Sequence, residues 1–112
     1  MLTNKRANIY RPATPTGVDG TQSLERLKSD IPIFFRSVSG SIVTEDGEEV
    51  GTDGEMRILA VYGIRHRDVV ELLQDPDERV FRIARYEDIL DPSGRAFAFS
   101  CDLVRDSSLE GA

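Results

Sequence analysis

Six carboxylates, Glu45, Asp46, Glu48, Glu49, Asp53 and Glu55, fall between Ser37 and Glu55 together with Gly40, Gly47, Gly51 and Gly54 and no lysine or arginine. Acid oxygens set this closely are what a hard cation such as calcium requires. The order Glu45-Asp46-Gly47-Glu48-Glu49 lacks the alternating acids and the distal bidentate glutamate of an EF-hand loop, so no specific metal site is expected. The chain has a net charge of −6, from 20 acids against 14 bases, and this one stretch holds the whole surplus. A glycine-rich insertion of one charge sign in an otherwise balanced domain is expected to project as an arm. The alternative is a solvated surface hairpin.

Other chemistry is sparse. His66 stands between Arg65 and Arg67, whose charges disfavour its protonated form, and it reads as an exposed or half-buried side chain more than as a general base. Cys101 falls on the inward face of a predicted strand, where an inert core thiol is expected. As a single cysteine it makes no internal disulfide, and one histidine does not complete a zinc site with it. Hydrolytic triads, HExxH and glycine-rich nucleotide motifs are absent, and Gly17-Val18-Asp19-Gly20 is too short to cradle phosphate. Neither catalysis nor a cofactor is expected. Arginines gather in the second half, at Arg65, Arg67, Arg79, Arg82, Arg85 and Arg95. They form either a charged face that keeps the domain soluble or, in a ring of identical subunits, partners for a neighbour's acids through Arg65, Arg67, Arg82 and Arg85.

The elements that must position these residues are short and β-rich. Asn8 to Pro12 is extended and ends at Pro12, which cannot donate to a ladder and suits a sheet edge. Thr14 to Thr21 is a loop by composition. Leu24 to Ser29 reads as a strand or one helical turn, leading into a β-rich run from Ile31 to Val38, where Pro32 suits a first strand position. Within the acidic stretch, Ser41 to Thr44 and Glu48 to Val50 flank Asp46-Gly47, a dipeptide favoured in tight hairpins. The arm can therefore be a long hairpin, expected to move until something packs against it. Met56 to Tyr62 reads as a buried strand broken by Gly63, Val69 to Leu73 as another strand although a helix can also be drawn, and Val80 to Tyr86 as a further strand. Glu87 to Leu90 suits one helical turn. Asp91-Pro92-Ser93-Gly94 matches a type I turn, after which Phe97, Phe99, Cys101 and Leu103 point inward and Ala98, Ser100 and Asp102 outward. Residues 105–112 are expected to fray as a flexible tail.

At 112 residues the chain suits one domain that buries about two-thirds of its unfolded surface. Short strands separated by turns predict a mainly β fold, a small antiparallel barrel with a long inserted loop at 37–55 and at most one short helix. No apolar run approaches the ~20 residues that cross a bilayer, and Met1 to Arg6 lacks an apolar signal region, so no membrane association and synthesis inside the cell are expected. The overall acidity argues against binding nucleic acid by phosphate neutralisation.

The order of elements resembles a known family. Ala7-Asn8-Ile9-Tyr10-Arg11-Pro12, then Asp30-Ile31-Pro32-Ile33, a long polar insertion, Ile64-Arg65-His66-Arg67-Asp68-Val69-Val70, Arg79-Val80-Phe81-Arg82-Ile83, and Asp91-Pro92-Ser93-Gly94 before Phe97 to Leu103 resemble the head-closure (stopper) proteins of tailed bacteriophages over residues 6–104. The chain departs from that pattern at Arg67-Asp68, where the family shows Gly-Asp, and at Phe34, where it shows Cys. The resemblance implies a β-barrel assembled as a homo-oligomeric ring in the virion neck, with portal or adaptor proteins on the head side and tail-completion or tail-tube proteins on the tail side. It further implies that the polar insertion, here Gly40, Glu45 to Glu49, Gly51 and Asp53 to Glu55, projects into the channel and retains DNA until ejection, while DNA passes without sequence-specific binding. The other class in view is a small β-barrel protein-binding module acting through the acidic arm.

Overall fold

A computed structural model describes residues 2–12, 24–43 and 46–106. Six strands, β1 (Lys5–Pro12), β2 (Leu24–Val43), β3 (Glu49–Leu59), β4 (Val69–Leu72), β5 (Val80–Leu90) and β6 (Ala96–Arg105), pair antiparallel in the order β1-β2-β3-β6-β5-β4 and close on themselves as a barrel. Closure pairs β1 with both β2 and β4 from Ala7 to Tyr10, while Pro12, where the strand ends as expected, meets only Leu24 of β2 among the described residues. Alternation explains the interior. Ile31, Ile33 and Phe35 from β2, Met56 and Ile58 from β3, Phe81 and Ile83 from β5, and Cys101 and Leu103 from β6 are buried at every second position. Phe35 and Phe81 meet at the centre, ring centroids 5.3 Å apart.

Four local readings are corrected. β3 ends at Leu59 and not Tyr62, because Ala60–Tyr62 form a 3-10 turn closed by Gly63 at φ 66. This leaves Val61 80% exposed instead of buried in a strand. The segment from Glu87 to Leu90 is strand, held by β6 through Glu87↔Ser100 and Ile89↔Ala98. Pro32 sits inside β2 opposite Arg6 and not at a strand start. Finally, Phe97 is 43% exposed and Ala98 fully buried, since Phe97 is the extra residue of a bulge between the Ile89↔Ala98 and Leu90↔Ala96 pairs. Both now line a shallow apolar groove with Leu2, Phe34, Arg57 and Ile89.

The insertion is not a separate loop. β2 and β3 continue past the barrel as one hairpin, through Gly40↔Thr52, Ser41↔Gly51, Ile42↔Val50 and Val43↔Glu49, with Gly47 at φ 80 in the turn. Thr14 to Thr21, Glu45 and residues 107–112 lie outside the described residues. Of the expected tail, Arg105 closes β6 and Asp106 is anchored by an ion pair to Arg82.

Candidate functional site

The hairpin stands on a fixed root. Arg79 stacks over the rings of Phe35 and Phe81 at 5.4 and 5.7 Å and donates to the hydroxyl of Ser37 at 3.1 Å, tying the β2 leg to the barrel mouth. Asp75 fixes that arginine by accepting from its Nε at 3.0 Å and Nη2 at 3.2 Å. These bonds hold the Asp75 carboxyl below its ordinary range and raise Arg79, against the opposing effect of burial. On the β3 leg, Asp53 accepts the backbone N–H of Arg105 at 2.7 Å. Gly54 lies buried beneath Phe35, where a Cβ would come within 2.6 Å of the ring. Between this root and the distal hairpin the β2–β3 register slips between Ser37 and Gly40. Bulges bend and twist a strand, and this one marks the boundary between root and distal hairpin.

The five described acids of the stretch therefore divide. Glu55 is held at the wall by Arg36 at 2.6 Å and Arg57 at 3.8 Å, and Asp53 serves the root. Asp46, Glu48 and Glu49 are exposed on the distal hairpin. The glycines divide in the same way. Gly47 makes the turn, Gly40 and Gly51 stand where a Cβ would meet Thr52 Oγ1 at 3.4 Å and the Gly40 carbonyl at 3.8 Å, and Gly54 is a packing residue.

The arginines separate too. Arg82 pairs with Asp106 at 2.5 Å and Arg85 with Asp102 at 3.1 Å, so both are already engaged within the chain. Arg65 and Arg67 are exposed on the loop before β4 and form no ion pair with a described residue. That loop is rigidly built. Buried Asp68 accepts from Arg11 Nε at 3.0 Å and Nη2 at 2.9 Å and from the Arg65 N–H at 2.8 Å, while Arg11 also donates to the Gly63 carbonyl. Arg67, at φ 71, donates its N–H to the Ile83 carbonyl at 3.0 Å. The Arg11 guanidinium is raised chiefly by its bond to Asp68. Arg65 and Arg67, on either side of His66, thus form a preorganised cationic ridge. Asp68 and Arg11 escaped sequence reasoning, because a lone acid ahead of an apolar run carries no sign of a partner 57 residues away.

Cys101 is buried, and desolvation first, then the charge of Asp102, pushes its thiol up to about 12. Among the described residues no three His, Cys, Asp or Glu side chains gather to hold a metal, and no helix is long and apolar enough to cross a membrane.

No family model and no curated protein matches the chain. Its fold is shared, however, with a protein of a phage-like element, across nearly the full length of both. That protein is xkdH of the element PBSX from Bacillus subtilis, similar over 94% of this chain and 96% of its own with a TM-score of 0.59 and 18% identity. At that identity the likeness is one of architecture.

Proposed function

We propose that this chain is a structural component of a phage-type particle, a ring-forming neck protein that joins the DNA-filled head to the tail. Its β2–β3 hairpin closes the DNA channel until ejection. The carrying observation is the hairpin itself, extended beyond a closed barrel on a root fixed by Ser37–Arg79, Asp53–Arg105 and Gly54–Phe35. The full-length likeness in fold to a phage-like element protein supports the setting. No catalysis is assigned.

A fixed root with a bulge above it suits a moving gate, since motion is confined to the distal legs while the barrel keeps its place. The exposed acids repel DNA phosphates and so let the duplex slide without sticking. In a closed ring the same acids face a neighbour, and Arg65 and Arg67 are the counter-charges that a heterologous contact can bring to them. The ring meets portal or adaptor proteins above and tail-completion or tail-tube proteins below. It is made in the host cytoplasm and resides in the virion neck, and DNA crosses it without sequence readout.

Mass measurement of the purified chain, alone and mixed with the portal complex of the element that encodes it, tests the proposal. A ring or a portal-bound species is expected in the mixture with the portal complex. A strict monomer that never joins particles contradicts it and favours a protein-binding module acting through the arm.

A further inference from the structure

Among the described residues, part of β5 has a flank without a strand beside it. β4 accompanies β5 only from Val80 to Arg82, and Ile83 is met by Asp68 and Arg67, whose O and N bond its N–H and C=O at 2.9 and 3.0 Å. From residue 84 to 90, β5 is paired with β6 alone among the described residues. Because both polar groups of Ile83 point away from β6 and one bulge residue follows, alternation turns the backbone groups of Tyr86 and Asp88 outward as well. An open groove of about 660 Å³ runs along this flank, bordered by His66, Arg85, Tyr86, Glu87 and Asp88, with Val43 of the hairpin opposite. Tyr86 is held in place there by an edge-on contact with Phe99 at 5.4 Å.

We propose that this flank pairs antiparallel with the same flank of a second copy, Tyr86 opposite Tyr86. The choice of partner follows from self-complementarity. In that register Arg85 of each copy faces Glu87 of the other, twice, and the outward backbone groups of Tyr86 meet their own equivalents. Centring the pair on Glu87 or on Asp88 instead sets like charges face to face, which is destabilising. Odd registers put outward groups opposite inward ones. Arg85, 47% exposed, turns to Asp102 on the β6 side, so in the pairing it shares or exchanges that partner for the carboxylate across the two-fold axis. The three charges also discourage apolar strands from adding to this edge, so the contact is selective for the matching sequence. A two-fold contact of this kind closes as a dimer and is distinct from the head-to-tail contacts of a ring.

Sedimentation equilibrium on the full chain, with Arg85→Glu, Glu87→Arg and the double exchange, tests the pairing together with hydrogen exchange at the amides of Tyr86 and Asp88. The wild type is expected to dimerise, each single exchange to weaken the dimer by about tenfold or more, and the double exchange to restore it. The two amides should slow as concentration rises. A monomer at all concentrations, an oligomer indifferent to all three exchanges, or slowed exchange at other strands overturns the proposal. Glu87→Arg leaves the Arg85–Asp102 pair intact, so the test stands even where Arg85→Glu disturbs the fold.

Discussion

A Cβ on Gly54 would stand 2.6 Å from Cε2 of Phe35 and 3.1 Å from Cζ, so any side chain at the root of the hairpin requires Phe35 to shift. Phe35 cannot simply retreat, since it leans on Phe81 at 5.3 Å and is capped by Arg79. Gly54→Ala is expected to destabilise the fold by about 1–3 kcal/mol, seen as a lower urea midpoint at unchanged slope. Gly51→Ala, whose nearest atom is 3.8 Å away, should stay within ~0.5 kcal/mol of the parent. Equal midpoints for the two variants would show that the aromatic pair yields.

Asp68 is 1% exposed and accepts three bonds, two of them from Arg11. Asp68→Asn leaves the guanidinium without its counter-charge, and a loss of about 3 kcal/mol is expected in denaturant unfolding. Faster exchange should appear at the amides of Arg65 and Arg67, because the cationic ridge loses its anchor. Unchanged exchange there would mean that the ridge is held by its bonds to Ile83 alone.

Asp75 supplies a pH dependence with a definite sign. Its bond from Arg79 lowers its folded value below the ordinary 3.8, so the folded state binds a proton less readily than the unfolded state. The resulting stability is fully present above that value and is lost as pH falls through the depressed one. Thermal melts from pH 5 downward should therefore show Tm falling less steeply in Asp75→Asn than in the parent, from a lower starting point at neutral pH. Parallel curves would remove Asp75 from the acid limb.

Cys101 should resist thiol reagents at neutral pH. With its thiol pushed up to about 12 and its side chain buried, labelling is expected only at the rate of global unfolding and to become fast in denaturant. Rapid labelling of the native chain would reveal local opening of β6.

The barrel was legible because apolar alternation and turn chemistry agree along the chain. Asp91-Pro92-Ser93-Gly94 is the observed turn, with the Gly94 N–H bonded to Asp91 O at 2.9 Å, and the Asp46-Gly47 turn joins two paired legs. Irregularities were not legible. The bulge that puts Phe97 outside depends on register against Ile89 and Leu90, which no count of alternating residues contains. Glu87 to Leu90 carries helix-compatible residues, and pairing with β6 overrides that preference. The acidic arm was recognisable by composition, but its division into root and distal hairpin was not. In sequence Gly54 is one more glycine of the arm, and it is a packing residue because Phe35 lies above it.

The gating role of the hairpin is tested most directly by DNA retention. Ser41 and Gly51 face each other across the hairpin, so replacing residues 42–50 with Asn-Gly shortens it by a compatible turn and leaves Ser37, Asp53 and Gly54 in place. Particles of the encoding element, assembled with this variant, should incorporate it at the parental level yet lose their packaged DNA, read as nuclease-sensitive genome against intact controls. Full genome retention in particles that contain the shortened protein would contradict the account.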